Sequence, residues 1–311
     1  MKILFMGTPD FALFSLKALC ESGENVIGVV TQPDKPKGRG YTLTPPPVKV
    51  YAESVGIPVY QPDTLRGEAF AELLSEIDPD MIAVAAYGKI LPENVLDYPK
   101  YGCLNVHGSL LPEYRGAAPM QRAIIDGKKQ TGITIQCMDV GLDTGDMIVK
   151  RTVDILPNDN FEDIHDKLGA VGADALLEAI KLVGNGEAVR EKQDDTRATY
   201  AAKIEKSDCL IDFSQPRQAV HDRIRGLSPM PLAFTHTPDG KILKIIASEI
   251  SEKTCENARA GEIVSVSGGV VTVACGDGCI NILKALPEGK GRMSAADLIN
   301  GRRVALGDVL V

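Results

Sequence analysis

No apolar run in the chain approaches the ~20 residues that would span a bilayer, so a membrane helix is not expected. Paired CxxC motifs are also missing. The seven cysteines, at positions 20, 103, 137, 209, 255, 275 and 279, offer neither a disulfide framework nor zinc-ligand spacing. Cys275 and Cys279 bracket Gly-Asp-Gly and read as the two ends of a hairpin; a reducing cytoplasm is the expected setting. The dinucleotide fingerprint is absent, because "GTPDFA" has one glycine where GxGxxG needs three, which disfavours a nicotinamide cofactor. "MKILFMGTPDFALF" has the Lys and apolar run of a signal peptide, yet Pro9 and Asp10 interrupt it and no small-residue cleavage site follows. It reads as a first buried strand. No internal repeat is visible, and histidine is scarce, at four in 311 residues.

What remains is an ordinary globular composition, 44% hydrophobic and 24% charged, which argues against disorder and coiled coil. The length suits about two domains of ~150 residues. Short β-branched runs at 2–7, 25–32, 58–61, 81–88, 103–109 and 131–138 alternate with helical patterns near 11–19, 67–77, 118–126 and 161–183. Near-continuous apolar strands separated by helices predict a parallel sheet covered on both faces, with ligands outside the strands' carboxyl ends. Past residue 206 come one helix (214–226) and short strands with Gly-rich turns, the pattern of a small antiparallel barrel. The expectation is therefore an α/β protein: a Rossmann-like, mostly parallel domain over 1–189, a polar linker over 190–205, and an OB-like β-barrel over 206–311.

The net charge is −8, unevenly spread. Residues 206–311 hold 13 Lys and Arg against 12 Asp and Glu, a balance of +1, which leaves 21 against 30, or −9, for 1–205. Within that acidic part "DKPKGRGYTLTPPPVK" (34–49) is locally +3. Charge runs are usually solvated surface, but a Gly-rich basic loop can also reach phosphates and unpaired nucleotides.

Two polar corners interrupt the apolar pattern. "NVHGSLLPEYRGAAP" (105–119) sets Asn105, His107 and Ser109 on alternate positions before Leu-Leu-Pro ends the strand. "MDVGLDTGDM" (138–147) puts Gly141 and Gly145 around Asp143, a tight loop carrying a carboxylate. Alone, the first is commonly a satisfied histidine beside turn-formers, and the second a plain Asp/Gly turn. Together they join an uncharged donor, an imidazole and a carboxylate able to fix its tautomer. That trio suits attack of an amine on an activated carbonyl, where an oxyanion needs donors and the leaving nitrogen a proton. No Ser or Cys nucleophile with an adjacent base is evident.

These two stretches, with "FMGTPDFA", "TQPDKPKGRG", "AYGKILP" and "MSAADLINGRR", resemble the folate-dependent formyltransferases from end to end. The resemblance implies 10-formyltetrahydrofolate as co-substrate and Asn105, His107 and Asp143 as the catalytic trio, with no metal. It implies a folate pocket from Ser109, Leu110, Leu111 and Pro112, with Tyr87 and Gly88 and the 138–143 loop. Leu110 and Leu111 are expected to be partly exposed in the free protein. Among acceptors, the basic loop and second domain favour methionyl-tRNA, with Lys35, Lys37 and Arg39 as contacts and the 206–311 barrel as a further tRNA surface. A sugar-nucleotide amine is the rival acceptor, and a non-catalytic folate- or RNA-binding protein the rival class. A cytoplasmic monomer without membrane association is expected.

Overall fold

The computed structural model describes residues 1–37, 41–255 and 257–311. Strand β1 (Lys2–Gly7) sets the pattern for the N-terminal part of the chain: Ile3, Leu4, Phe5 and Met6 have no solvent exposure, so both faces must be covered. After α1 (Asp10–Glu21) come β2 (Asn25–Val30), the short β3 (Lys35–Lys37) and β4 (Thr42–Thr44), α2 (Pro47–Ser54), β5 (Val59–Tyr60) and α3 (Glu68–Ile77). They are followed by β6 (Met81–Ala85), α4 (Glu93–Leu96), β7 (Cys103–His107), β8 (Arg115–Gly116) and α5 (Pro119–Ile125). Then β9 (Gln130–Cys137), β10 (Met147–Asp154), the 25-residue α6 (Phe161–Asn185) and β11 (Tyr200–Ala201) complete this part.

Seven strands form one sheet in the order β10-β9-β7-β6-β1-β2-β5. β5, β2, β1, β6 and β7 are parallel, as the apolar runs predict. On one face Leu4, Met6, Ile82, Val84 and Cys103 pack with Phe70 and Leu74 of α3 and Val95 and Leu96 of α4. On the other, α6 comes so close that a Cβ on Gly172 would stand 2.9 Å from Val106 Cγ1.

One pairing departs from the expected parallel series. β9 runs antiparallel to β7, with Asn105 opposite Gln136 and His107 opposite Thr134. An apolar run carries no sign of direction, so the sequence pattern could not reveal this. The consequence is local: side chains of directly opposed residues share a face, so Asn105, His107, Thr134 and Gln136 form one polar patch at the end of an otherwise apolar surface. A second departure concerns 34–49, expected as a loop. β3 and β4 pair as an antiparallel hairpin, and Lys49 lies on α2, with its Nζ 3.0 Å from Asp34 and 2.8 Å from Gln61.

Backbone proximity divides the chain into Met1–Gly116, Thr131–Val153 and His165–Ala201 as one unit, and Ala117–Gln130, Asp154–Ile164 and Ala202–Val311 as the other. The second unit contains α7 (Arg217–Gly226), β12 (Ala233–His236), β13 (Ile242–Ser251), β14 (Ile263–Ser267), β15 (Val270–Cys275), β16 (Gly278–Pro287), β17 (Met293–Ser294) and α8 (Ala295–Asn300). Its antiparallel sheet runs β12-β13-β16-β15-β14, with β17 on β16. The last four residues close it. Leu310 N–H donates to Gly261 and Ile263 N–H to Asp308 at the β14 edge, while Val311 and His236 exchange backbone bonds at the β12 edge. Closure removes both free edges, and Ile245, Val271, Val273, Ile280 and Ile282 fill the interior.

Cys275 and Cys279 flank the β15–β16 turn as expected, and Cys279 also lies beside Cys255, their Cα atoms 6.2 Å apart. Sequence spacing conceals this proximity, because it arises from the β13–β16 register that sets Ser251 opposite Cys279.

Candidate active site

β7 delivers Asn105 and His107 to the same face because strand side chains alternate. His107 is buried at 5% exposure, and its Nε2 donates to the carbonyl of Tyr114 at 3.0 Å. Its Nδ1 stands 3.5 Å from Asp143 Oδ1. Both ring nitrogens therefore face oxygen acceptors, and both can donate only when the ring carries its second proton. Asn105 is half-buried, and among the described residues its side-chain amide has no hydrogen-bond partner. A free amide donor stands beside an imidazole backed by a carboxylate.

Asp143 reaches this face through a folded-back loop. β9 ends opposite the start of β7, where Met138 N–H donates to the Cys103 carbonyl, and the 138–146 segment returns over the polar patch. Its tightness depends on Gly145, where a Cβ would lie 1.7 Å from the Cys137 carbonyl oxygen. Within the loop, Asp139 Oδ1 accepts from Gly141 N–H at 3.0 Å and Thr144 Oγ1 at 2.5 Å. Asp143 itself adopts φ 53, the left-handed region that a non-glycine residue rarely occupies.

Three side groups hold the carboxylate and its backbone. Gln136, 1% exposed, donates Nε2 to Asp143 Oδ1 at 2.9 Å. Gly116 N–H donates to Oδ2 at 2.8 Å; φ there is 118, and a Cβ would meet the Ala201 carbonyl at 2.9 Å. Gln193 donates to the carbonyls of Asp143 and Gly145. None of these three was singled out from the sequence. Gly116 lies inside the first polar corner, and Gln136 follows from cross-strand alternation once β9 is antiparallel. Gln193 has no local signal.

The expected folate residues surround this corner with different exposures. Ser109 is fully buried, donating its hydroxyl to the Glu113 carbonyl at 2.6 Å. Leu111 is 2% exposed, contrary to the expected partial exposure, because the turn tucks it inside and its N–H donates to Thr134 Oγ1. Leu110 is half-buried, as expected, and Pro112 follows a cis peptide bond. Tyr87 is 2% exposed with its hydroxyl unpartnered, burial pushing its pKa up to about 12, and Gly88 turns the chain at φ 88. Exposed apolar surface in the two flanking loops comes from Ile90, Val140 and Leu142. Of the basic loop residues, Lys35 is exposed on β3, Lys37 ends that strand, and Arg39 lies outside the described residues. Among the described residues there is no cluster of three or more metal-ligating side chains and no helix long and apolar enough to cross a membrane.

Comparison with known proteins identifies the family. The formyl transferase family matches residues 1–180, and the formyl transferase C-terminal domain matches 203–303. The chain belongs to the formyl transferase family. Within that family, it is 48% identical to the methionyl-tRNA formyltransferase of Geotalea uraniireducens, over 100% of this chain and 98% of that one. With the methionyl-tRNA formyltransferase of Bacillus licheniformis it shares 46% identity, over 98% and 96% of the two chains. Among solved structures, an N-formyltransferase from Helicobacter canadensis, complexed with folinic acid and dTDP-3-aminofucose, shares the fold at TM-score 0.69 and 20% identity, covering 91% of this chain and 98% of that one.

Proposed function

We propose that this chain transfers the formyl group of 10-formyltetrahydrofolate to the α-amino group of initiator methionyl-tRNA. The observation that carries the reading is the convergence of Asn105, His107 and Asp143 on one polar patch in a chain 48% identical, end to end, to a methionyl-tRNA formyltransferase. The amine attacks the formyl carbon, and negative charge develops on the carbonyl oxygen. The unpartnered amide of Asn105 is a preorganised donor for that oxygen. His107, backed by Asp143, donates or carries a proton as N10 of the folate leaves. Tyr87, Gly88 and the Ser109–Pro112 turn, with the exposed apolar side chains of the flanking loops, form the folate pocket.

Lys35, Lys37 and Arg39 contact the tRNA, 1–189 carries the catalytic residues, and 206–311 adds an OB-like surface for the tRNA backbone. The enzyme acts in the cytoplasm as a monomer and needs no metal. The test is a labelled 10-formyltetrahydrofolate assay against methionyl-tRNA, a 4-amino sugar nucleotide and glycinamide ribonucleotide. Label on methionyl-tRNA is expected, and label only on the sugar nucleotide would transfer the assignment to that acceptor. Arg39→Ala is expected to lower kcat/KM for methionyl-tRNA and flatten its salt dependence, by ~0.7 in slope for each phosphate no longer neutralised. Arg39→Lys restores only part of the activity, because an ammonium cannot reproduce a paired planar contact.

A further inference from the structure

The 190–201 stretch, expected from its polarity as linker, is stitched to the first unit. Glu191 and Met147 exchange backbone hydrogen bonds at 2.8 and 2.9 Å, and Arg115 N–H donates to the Thr199 carbonyl at 2.8 Å. Between these anchors sits Gln193. We propose that Gln193 is a positioning residue for formyl transfer, fixing the 138–146 loop in the backbone conformation that brings Asp143 to His107. The inference rests on the catalytic reading of Asp143 given above.

The amide of Gln193 is fully used. Nε2 donates to the Asp143 carbonyl at 2.7 Å and the Gly145 carbonyl at 2.8 Å, so one side chain bridges both sides of Thr144. Oε1 accepts from Arg115 Nε at 3.0 Å and Nη2 at 2.9 Å. Arg115 is 2% exposed, and its Nη2 also meets Asp195 Oδ1 at 2.7 Å. A guanidinium only donates, so Arg115 dictates which end of the amide faces the loop. With Oε1 committed, both N–H groups must point at the two carbonyls. The next residue after Arg115, Gly116, grips the Asp143 carboxylate itself through its N–H. Backbone and side chain of Asp143 are thus held by one assembly. Such a hold fixes Asp143 at φ 53, a left-handed conformation that a free aspartate would share with the extended one.

Two variants separate positioning from a merely structural clasp. Gln193→Glu keeps an acceptor for Arg115 and removes both donors to the loop; Gln193→Met keeps the volume and removes both halves. Both are expected to lower kcat by about 10- to 100-fold, as small displacements of positioned groups do. KM for folate and tRNA should change little, and kcat is compared at a temperature where circular dichroism shows each variant folded, because Gln193→Met also leaves the Arg115 guanidinium with one partner fewer. Asp143→Asn is run alongside. If Asp143→Asn is inactive while Gln193→Glu and Gln193→Met turn over like wild type, the positioning role is wrong and the site assignment stands. If Gln193→Glu recovers wild-type kcat while Gln193→Met does not, only the Arg115 half matters, and the inference is overturned. Wild-type turnover by Asp143→Asn would instead remove the reading on which the inference rests.

Discussion

Each unit buries one histidine in a polar cluster, and the two are built to opposite ends. His221 in α7 is 2% exposed, with Nε2 donating to the Pro157 carbonyl at 3.1 Å and Nδ1 beside Ser248 Oγ at 3.0 Å. A neutral ring satisfies both partners, one nitrogen donating and the other accepting from the serine hydroxyl. Arg225 nearby pairs with Asp222 at 2.6 Å and donates to the Asp159 carbonyl at 2.7 Å. Everything around His221 is internally satisfied. His107 instead faces a carbonyl and a carboxylate, which a neutral ring cannot serve together, and its strand neighbour Asn105 is left with an unused amide. A closed cluster holds the fold together, whereas an unused donor beside a ring facing two acceptors is what the proposed function would require of a substrate site.

The sharpest way to break this contrast is to remove the two histidines in turn and measure turnover. His107→Ala and Asp143→Asn are expected to lose most of kcat while remaining folded, because both interactions are made chiefly in the transition state. Asn105→Ala should fall by ~10²–10³ in kcat, the usual cost of one oxyanion donor. Near-wild-type turnover in any of the three, measured at saturating folate and tRNA, removes that residue from the trio. His221→Ala should show the reverse pattern: kcat within about twofold, and a loss of about 2–4 kcal/mol in unfolding free energy from a cavity and two orphaned partners. A urea titration read by circular dichroism decides it.

The comparison also shows what the residue order can reveal. Asn105, His107 and Asp143 could be singled out as candidates because their types are unusual at the ends of apolar runs and the stretches that carry them resemble a known family. The parallel core was legible because strands such as Ile3–Met6 are apolar on both faces. Their mutual geometry was not. It depends on β9 pairing antiparallel to β7, and on a loop that doubles back because Gly145 admits the Cys137 carbonyl. Gln136 and Gln193 are ordinary glutamines until that fold is known, as is His221, 64 residues from the carbonyl it serves. The nearness of Cys255 to Cys279 was hidden for the same reason, since a strand register creates it.

The smallest expected effect sharpens the comparison most, because it reads the closed cluster's preference for a neutral ring directly. Burial, and then Arg225, depress the pKa of His221 below the ordinary histidine value of 6.5, against the opposing pulls of the Pro157 carbonyl, Asp222 and Glu249. The sign follows from proton linkage. Above about 6.5 neither the folded nor the unfolded ring binds a proton, and stability is independent of this group. As pH falls below that value the unfolded chain takes up its proton first, so the stability that the neutral ring provides is lost progressively until the depressed folded pKa is passed. His221→Gln keeps a donor and an acceptor but cannot titrate. The urea midpoint of the wild type should therefore drop between pH 7.5 and 5.5 by more than that of His221→Gln. The difference between the two slopes isolates His221 from the carboxylates that titrate lower. Parallel slopes would mean that His221 is protonated in the fold as readily as in the unfolded chain, and the closed cluster would then have no preference for a neutral ring.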